Sequence, residues 1–471
     1  MPQIAIVGAG ITGLSAAYYA EKIAAQAGLD VHIRLIERQD RLGGVIQTEQ
    51  TEHYLIDGGP DSFLTQKPAA LELCRELGLA DQLLPSNDQQ RKTYIWLGGR
   101  LRELPDGLQF VVPSKIWPVF RSDLFSLAGK IRLACSPLIP PPSNRGEGVT
   151  VADFIRERLG QEVLERLAEP LLSAVYGGDV ERMSAKATLP QLVALEEKYG
   201  SLWKGIQQSR RQPRQSNPQN KQSLFMTLRK GLGELTGALE KKLISTEILR
   251  GTAIQKILRD GDGNYQLQWP SGEMKADALI LALPAYAASQ LLRTVSGPLA
   301  GKLGEIPYHS SLIVSLGFED AEAARGLKGF GFLVPRGEGK TVIACTRMST
   351  KFSHRATPGH VLLRCFLGGA RQPAVMDESD ERILELTLGD LKEMIGLRVK
   401  PNYVRIFRWK NCMAQYDTGH LKRLEEITSL LAELPGLYLA GNGYRGIGIP
   451  DCVQSAAVAA GAAVERLKMG A

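Results

Sequence analysis

Residues 3–13 read QIAIVGAGITG, and this segment is the most informative of the sequence about the fold. The apolar run QIAIV is typical of a buried parallel strand, and Gly8, Gly10 and Gly13 follow it at the spacing G-x-G-x-x-G. An alanine-rich segment at 14–27 predicts a helix, and a second apolar run at 31–36 ends at Glu37. Strand, glycine turn, helix, strand and acid stand in the order of a dinucleotide-binding unit.

The glycines of such a unit have separate physical roles. Gly8 makes the tight turn, Gly10 lets the backbone approach a pyrophosphate, and Gly13 lets the helix pack on the strand. The helix N-terminus offers free N–H groups and a positive dipole end to phosphates. Glu37 is placed to accept hydrogen bonds from ribose hydroxyls. The unit therefore predicts a bound dinucleotide.

The chain returns to this unit twice. Residues 225–239 and the buried run ALILALP at 278–284 supply a middle segment, and GLYLAG at 436–441 is a strand that ends in glycine. Pro450 suits the first turn of a helix over 453–467. The N-terminus of that helix would stabilise negative charge on a reduced cofactor ring. The cofactor domain is therefore expected to be discontinuous.

Composition narrows the class of protein. The chain has 471 residues, of which 44% are hydrophobic and 23% charged, so it is a globular protein of two or three domains. The net charge of +7 is mild. Residues 198–233 hold eight Lys and Arg and no acid, which predicts a flexible basic loop. This segment lacks the interleaved aromatic residues that stack on bases, so no nucleic-acid partner is expected.

Cysteine and histidine spacing argues against a metal or a disulfide scaffold. The six Cys form no C-x-x-C pair, and the six His are scattered along the chain, so no metal is predicted. No window is long and apolar enough to span a membrane. The N-terminal residues lack the features of a signal peptide, so a cytoplasmic location is expected.

Arg41, Leu42, Gly43 and Gly44 form an RLGG element that resembles the second signature of the FAD-dependent amine oxidase superfamily. Over essentially the whole chain the sequence resembles the oxygen-dependent coproporphyrinogen III and protoporphyrinogen IX oxidases of the soluble bacterial type. Monoamine oxidases and carotenoid desaturases share the first motif and RLGG but differ at the C-terminal closure. The segments that carry the resemblance are DGGPDSFL (57–64), EPLLSAVYGGDVERMSA (169–185), FRWKNCMAQY (407–416) and GIGIPDC (446–452).

The resemblance implies an α/β fold with a Rossmann-like FAD-binding domain, a mixed-sheet substrate domain and a small helical domain. The implied boundaries are 1–45, 225–295 and 430–471 for the FAD domain, 46–100, 208–224 and 296–429 for the substrate domain, and 101–207 for the helical domain.

It also implies the binding residues. In relatives the arginine of RLGG contacts the pyrophosphate, Ile254 would meet the adenine, and Trp409 would line the flavin. An apolar slot for the substrate is expected at Val175, Tyr176, Phe332 and Leu333, with Lys67 as a cation at its rim. The implied FAD contacts are Gly8, Ala9, Gly10, Ile11, Thr12, Gly13, Leu14, Glu37, Arg38, Arg41, Gly43, Gly44, Gly58, Gly59, Pro60, Asp61, Ile254, Trp409, Gly441, Gly448, Ile449 and Pro450.

The implied reaction is the oxidation of coproporphyrinogen III to coproporphyrin III in haem biosynthesis. Non-covalent FAD would remove two electrons in each of three cycles, and molecular oxygen would reoxidise it to give hydrogen peroxide. The chemistry is flavin-driven, so no catalytic side chain is expected. In animal and plant protoporphyrinogen oxidases an arginine near the strand YIWLGG pairs with a propionate, whereas this chain has Thr93 there. This departure favours coproporphyrinogen III.

Other functions stay open at this stage. Protoporphyrinogen IX is the alternative substrate, and a flavin amine oxidase with Cys412 or Cys452 as a flavin linker is a more remote one. A porphyrin carrier, or a GTPase dissociation inhibitor that shares the fold, would have no activity. The aromatic residues Trp117, Phe120 and Phe125 are expected on a covered core face, while peripheral membrane contact or docking of another haem-pathway enzyme is left open. The sequence predicts no oligomeric state.

Overall fold

The structure is a computed structural model that describes residues 1–471 except 106, 110–111, 114–115, 140–145, 147, 212–222, 321 and 471. In chain order the strands are β1 (Gln3–Val7), β2 (His32–Ile36), β3 (Thr48–Gln50), β4 (Leu55–Asp57), β5 (Phe63–Leu64), β6 (Leu83–Pro85), β7 (Thr93–Trp96), β8 (Leu101–Glu103), β9 (Leu108–Gln109), β10 (Val112–Pro113), β11 (Phe225–Leu228), β12 (Thr246–Leu249), β13 (Lys256–Arg259), β14 (Tyr265–Trp269), β15 (Gly272–Ala276), β16 (Ala278–Leu281), β17 (Tyr308–Phe318), β18 (Gly331–Leu333), β19 (Ala344–Arg347), β20 (Val361–Gly368), β21 (Tyr403–Ala414) and β22 (Leu437–Leu439).

The second set of elements is helical, and a π-helical turn, Leu164–Ala168, joins two of the helices. In chain order they are α1 (Ile11–Gln26), α2 (Ala69–Glu76), α3 (Ile116–Arg121), α4 (Leu127–Ala134), α5 (Val151–Leu159), α6 (Gln161–Val163), α7 (Glu169–Tyr176), α8 (Ala185–Thr188), α9 (Pro190–Tyr199), α10 (Leu202–Arg211), α11 (Gly233–Lys242), α12 (Ala285–Leu292), α13 (Gly297–Gly304), α14 (Met348–Lys351), α15 (Asp380–Ile395), α16 (His420–Ala432) and α17 (Ile449–Gly470).

A five-stranded parallel sheet forms the predicted nucleotide-binding unit. Its order is β12-β2-β1-β16-β22, so strands from the start, middle and end of the chain lie side by side. Helices α1 and α17 pack against each other beside this sheet, and fully buried alanines such as Ala16, Ala20, Ala456 and Ala460 belong to their common core. Small side chains let the two helix backbones approach closely. The predicted α/β fold class is therefore confirmed.

A seven-stranded mixed sheet stands beside this unit, in the order β21-β17-β20-β19-β18-β7-β8. Its strands are antiparallel except for the pair β18 and β7. One face packs on α15, where Phe332, Cys365 and Leu391 share a core. The opposite face, called here the inner face, carries Leu333 and Phe366. The alternation of side chains along a strand separates these two sets.

Helices α4 to α10 surround a third core, in which Phe154 and Leu167 are fully buried. A buried contact ties this helical region to the mixed sheet, because Nε of Arg371 lies 3.4 Å from Oε1 of Glu169. The expectation of a covered aromatic face is right for Phe125, which is buried, but wrong for two others. Trp117 is 65% exposed and Phe120 is 38% exposed, because their short helix α3 presents one side to the core and the other to solvent.

Two features predicted from the sequence, the flexible basic loop and the domain boundaries, remain predictions. The basic segment 198–233 is described up to residue 211 and again from 223, and its centre lies outside the described residues. The division into three domains with the boundaries given above stays a prediction. Among the helices that the structure describes, none is both long and apolar enough to cross a membrane.

Candidate functional site

The glycine turn after β1 has the geometry that a pyrophosphate site needs. Gly8 has a φ of +98°, and a Cβ there would lie 2.6 Å from the Ala282 carbonyl oxygen. A Cβ on Gly13 would lie 1.7 Å from the Gly8 carbonyl oxygen, so α1 can approach the turn only with glycine there. A Cβ on Gly10 would meet nothing closer than Gly44 Cα at 4.0 Å. Gly10 therefore borders an open space rather than a packed one.

Helix α1 begins at Ile11 directly above this space, and no side chain caps its N-terminus at Gly10. One turn further along, Ser15 is fully buried, and its Oγ has no hydrogen-bond partner among the described residues. A buried hydroxyl without a partner is costly, and a phosphate oxygen at the helix N-terminus would satisfy it. Ser15 was not predicted as a binding residue, although a hydroxyl two residues after the third glycine was the available signal.

Glu37 stands at the end of β2, as predicted for a ribose acceptor. Its Oε2 accepts from the Ala9 N–H at 2.8 Å, and its Oε1 accepts from the Gln39 N–H at 3.0 Å. Each carboxylate oxygen has a second lone pair for a ribose hydroxyl. The neighbouring Ile254 is partly buried against the core that holds Val7 and Ile36. These residues fit the nucleoside half of FAD.

The guanidinium of Arg41 donates hydrogen bonds within its own loop, and its contact with the pyrophosphate stays a prediction. Its Nη1 donates to the carbonyls of Leu42 at 2.9 Å and Ile46 at 3.0 Å, and its Nη2 donates to the Gly44 carbonyl. Burial lowers the pKa of its guanidinium. Arg41 thus braces its own loop, because the tight glycine turn directs three carbonyl oxygens at the guanidinium. The loop is tied to the phosphate turn by the Gly43 N–H, which donates to the Ala9 carbonyl at 2.8 Å.

The segment after β4 also packs too tightly for any residue but glycine. A Cβ on Gly58 would lie 2.4 Å from the Phe407 ring, and one on Gly59 would lie 1.8 Å from the Val45 carbonyl oxygen. Trp409 Nε1 donates to the Gly58 carbonyl at 2.6 Å. The indole of Trp409 therefore holds this loop in place from the inner face of the mixed sheet. Pro60 and Asp61 continue the same loop towards β5.

Five buried charges lie beside this loop. Asp57 pairs with Arg355 at 2.5 Å, and Asp61 pairs with Lys351 at 2.8 Å and with Arg364 at 3.2 Å. Burial alone would raise the pKa of Asp61, but the charges of Lys351 and Arg364 outweigh it and hold that pKa below its usual value. Three cations against two anions leave an excess positive charge. Such a charge favours an anion nearby, either a reduced ring or a substrate carboxylate.

The cations of this cluster were not predictable from the sequence. Lys351, Arg355 and Arg364 are far from the 57–61 loop in sequence, and each stands in a segment with no recognisable motif. Only the packing of α14, the following turn and β20 against the loop brings them to the two acids.

The C-terminal closure lies over the glycine turn. Gly441 has a φ of +127°, and a Cβ there would lie 3.7 Å from Thr12 Oγ1. The Gly448 N–H donates to Asp451 Oδ2 at 3.2 Å, and Ile449 and Pro450 open α17. Lys67 was predicted as a cation at the substrate rim. Its Nζ lies 2.7 and 2.8 Å from the two Asp451 oxygens, so its charge is already neutralised there.

An aromatic cluster supports the closure from below. The rings of Tyr416 and His420 are stacked at 4.2 Å, and Tyr416 Oη donates to the Asn442 carbonyl at 2.7 Å. His420 Nε2 lies 2.8 Å from the Tyr444 carbonyl oxygen. Burial lowers the pKa of His420 to about 4, so it is neutral at pH 7 and its Nε2–H donates to that carbonyl.

The predicted slot residues are only partly brought together. Tyr176 is half-buried and lies close enough to the C-terminal closure to be affected by the charge of Asp451. Burial and this negative charge raise the pKa of Tyr176 to about 12. Leu333 lies on the inner face of the mixed sheet, and Val175 is 51% exposed. Phe332 was predicted beside them, but it points to the opposite face and is buried against α15. Because side chains alternate between the two faces along β18, two consecutive residues cannot both face the slot.

The two cysteines considered as flavin linkers are poor nucleophiles here. Burial raises the pKa of Cys412 and of Cys452 to about 11. Both thiols are therefore protonated at pH 7, which fits a non-covalent cofactor.

Comparison with known proteins identifies the family. The family described as flavin containing amine oxidoreductase matches residues 11–464. The chain belongs to this family. The amine oxidoreductase membership confirms the predicted flavin cofactor, which is FAD in this family, and makes the protein a flavin oxidoreductase.

Within the amine oxidoreductase family, two similar relatives are coproporphyrinogen III oxidases. The Bacillus subtilis protein is 36% identical, and the match covers 96% of this chain and 95% of that protein. The Propionibacterium freudenreichii protein is 32% identical, and the match covers 96% of this chain and 89% of that protein. Among solved structures, an Exiguobacterium sp. 255-15 protein assigned as a protoporphyrinogen oxidase has a TM-score of 0.87 at 33% identity, with 100% and 99% coverage. Cyclohexylamine oxidase from Brevibacterium oxydans shares the fold at 18% identity.

Proposed function

We propose that this flavoprotein oxidises coproporphyrinogen III to coproporphyrin III, with three molecules of oxygen reduced to three of hydrogen peroxide. The observation that carries the proposal is the 36% identity to a coproporphyrinogen III oxidase over 96% of the chain. The relative and this chain match from end to end, so cofactor and substrate segments are both included. When bound, FAD supplies the oxidising chemistry by accepting a hydride from the substrate.

The chain's own residues hold the cofactor in three places. The N–H groups of α1 around Gly10 and the free Ser15 hydroxyl bind the pyrophosphate. Glu37 binds the ribose and Ile254 packs on the adenine. The ring system would be held by the RLGG loop, the 58–61 loop fixed by Trp409, and Gly448–Pro450 at the start of α17. The remaining predicted contacts, which include Arg38, belong to these same segments.

Two sources of positive potential act on the ring region. The N-terminus of α17 directs its dipole there, and the buried cluster of Lys351, Arg355 and Arg364 exceeds its two acids by one charge. Both favour the reduced, more anionic form of a ring placed between them. They therefore lower the free energy of accepting a hydride without any side chain taking up a proton.

The substrate slot is bounded by Tyr176 and Val175 on one side and by Leu333 on the other. The partly buried Phe366, on the inner face of β20, extends this apolar wall. A porphyrinogen is apolar at its centre and carboxylated at its edge, so it needs such walls and a cation at the mouth. Lys67 could serve at the mouth only by leaving Asp451.

Thr93 supports coproporphyrinogen III over protoporphyrinogen IX as the substrate. It pairs with Gly331 at the start of β7 and shares a strand face with Ile95, which packs beside Leu333. Its position is thus on the inner face, and it offers a hydroxyl rather than a cation. A substrate with four propionates depends less on any single clamp than one with two.

The decisive experiment compares anaerobically prepared coproporphyrinogen III and protoporphyrinogen IX with the same purified enzyme. Porphyrin fluorescence and peroxide are followed together. The expected result is faster oxidation of coproporphyrinogen, with three peroxides per porphyrin. Preference for protoporphyrinogen would assign the second candidate, and fluorescence without peroxide would exclude oxygen as the acceptor. If neither is oxidised by the yellow protein, the porphyrinogen assignment fails and amines are tested.

We infer in addition that the helical region contacts an anionic membrane surface peripherally. On α3, α4 and the turn after it, large apolar side chains are exposed, among them Trp117 at 65%, Leu127 at 72% and Leu138 at 82%. Arg121 and Lys130 lie on the same helices, so the patch combines apolar and basic groups. Co-sedimentation with anionic but not zwitterionic vesicles, lost in Trp117→Ser/Leu127→Ser, is the expected result. If the protein binds neither kind of vesicle, the inference of membrane contact is wrong, and the exposed patch would instead be assigned to a protein partner.

A further inference from the structure

Two histidines and a glutamate from distant parts of the chain meet at the far end of the mixed sheet. One nitrogen or oxygen atom each of His53, Glu319 and His360 lies within 4.8 Å of the other two. His53 is in the loop between β3 and β4, Glu319 follows β17, and His360 precedes β20. The two imidazole rings are stacked at 4.2 Å. No sequence motif joins these residues, so the scattered histidines gave no signal.

Hydrogen bonds hold the two histidines in a fixed frame. The Thr357 N–H donates to the His53 carbonyl at 3.0 Å, and the His360 N–H donates to the Thr357 carbonyl at 3.1 Å. Thr357 Oγ1 lies 3.0 Å from His360 Nδ1 and 3.4 Å from His53 Nδ1. A hydroxyl oxygen has two lone pairs, so Thr357 can accept from both rings. In that tautomer the other nitrogen of each ring would carry the lone pair that binds a metal ion.

The carboxylate is positioned as well. Asn402 Nδ2 donates to Glu319 Oε1 at 2.9 Å, and the buried Tyr54 donates its hydroxyl hydrogen to Asn402 Oδ1 at 2.9 Å. Metal-binding histidines and carboxylates usually have such outer partners, which fix the tautomer and the orientation of the ligand. All three residues of the cluster therefore have outer partners suited to a metal site.

We propose that His53, Glu319 and His360 form a binding site for a transition-metal ion of the Zn²⁺ class. Two imidazoles and one carboxylate suit Zn²⁺, Co²⁺, Ni²⁺ or Fe²⁺, whereas Mg²⁺ and Ca²⁺ prefer oxygen ligands throughout. Three protein ligands leave a position for water. Glu52, whose carboxylate lies 3.9 Å from His53 Nε2, adds negative charge at the mouth of the site.

The site is structural rather than redox-active. Zn²⁺ has no redox chemistry. His53 stands five residues before Gly58, so the site lies at most about 18 Å from the cofactor loop along the extended chain. A bound ion would fasten the β3–β4 hairpin to the ends of β17 and β20. That hairpin leads directly into Asp57 and the 58–61 loop, so metal binding would stabilise the frame of the cofactor site.

The test measures Zn²⁺ binding directly. Tag-free holoprotein in a Cys135→Ser background is used, because Cys135 is an exposed thiol that could bind zinc by itself. After EDTA treatment and dialysis, Zn²⁺ content is measured by equilibrium dialysis, and unfolding is followed by circular dichroism. We expect one Zn²⁺ per chain, unaffected by excess Mg²⁺, and a higher Tm with Zn²⁺ than without it.

Variants assign the ligands. His53→Asn and His360→Asn should each remove stoichiometric binding, and Thr357→Val should weaken it by about tenfold. His32→Asn, at a surface histidine outside the cluster, is the matched control and should bind normally. Flavin absorbance and circular dichroism confirm that the variants are folded. Two results would overturn the proposal. In the first, the parent protein binds no Zn²⁺ with a Kd below about 0.1 mM. In the second, the His53→Asn/His360→Asn protein binds Zn²⁺ as well as the parent does.

Discussion

Asp57 and Arg355 form an ion pair with 2.5 Å between Oδ2 and Nη2, and neither side chain is accessible to solvent beyond 1%. Asp57 also accepts hydrogen bonds from the Leu232 N–H at 3.0 Å and from the Thr48 hydroxyl. Arg355 donates to Thr227 Oγ1 at 2.7 Å. The pair thus connects the end of β4, the segment before α11 and the turn after α14. It joins the cofactor loop to the substrate half of the protein.

Breaking this pair should destabilise the fold strongly. Asp57→Asn leaves the Arg355 charge buried without a counter-charge, and we expect a loss of about 3–5 kcal/mol in the free energy of unfolding. Denaturant unfolding measures it. Replacing both partners, in Asp57→Leu/Arg355→Met, should cost less than the single change. The exposed pair Arg382–Glu385 is the control, and Glu385→Gln there should cost under about 0.5 kcal/mol. Equal losses for the buried and exposed pairs would contradict the assignment.

Ser15→Ala should weaken FAD binding. If the free hydroxyl donates to a phosphate, its loss removes a hydrogen bond to a charged group, and the Kd of FAD should rise by about tenfold or more. Titration of the apoprotein with FAD, followed by quenching of flavin fluorescence, measures the change. Ser289→Ala removes a buried hydroxyl that already donates to the Ala300 carbonyl, and it should leave the Kd unchanged. An unchanged Kd in Ser15→Ala would place the pyrophosphate elsewhere.

Thr93→Arg should shift the substrate preference towards protoporphyrinogen IX. The new guanidinium would pair with a propionate, and the substrate with only two propionates gains most from an added clamp. We expect kcat/KM for protoporphyrinogen to rise by about tenfold relative to coproporphyrinogen. Thr93→Gln, of similar length but uncharged, controls for size. If Thr93→Gln shifts the ratio equally, the effect is steric and the clamp argument is wrong.

His420 should make the protein sensitive to mild acid. Its folded pKa of about 4 lies below the ordinary value of 6.5, so between these pH values the unfolded state binds more protons. The free energy of unfolding should therefore fall as the pH drops from 6.5 to 4, by about 3 kcal/mol from this residue. Above pH 7 the contribution of His420 to the free energy of unfolding should stay constant. Unfolding curves of wild type and His420→Gln across this range test it, and the glutamine variant should lose less. Parallel losses in both proteins would exclude His420 as the cause.

The nucleotide-binding half of the molecule was predictable because its signals are local. Residues 3–7 form β1 as the apolar run indicated, and α1 and α17 cover the segments predicted as helices. The three glycines have steric reasons that follow from a strand, a turn and a helix in direct succession. Each of these elements could be recognised within a short window of sequence.

The substrate half was less predictable because its decisive contacts are long-range. Lys67 was chosen for its distance along the chain from the 57–64 motif, but a carboxylate from α17 neutralises it. Phe332 and Leu333 were grouped by type, whereas strand alternation places them on opposite faces. The carbonyls that Arg41 contacts within its own loop were not predictable either, and its contact with the pyrophosphate stays a prediction. Each of these details concerns the direction or the partner of a side chain, which composition and spacing do not contain.

The parallel sheet places β22 beside β16, and α17 packs beside α1. This arrangement also determines when the parts of the cofactor pocket can come together during synthesis. A ribosome-bound polypeptide that has not yet released residues 437–470 has its glycine turn and its Glu37 but no closing strand or helix. Such a nascent chain holds only part of a cofactor pocket, so stable capture of FAD must await the synthesis of β22 and α17.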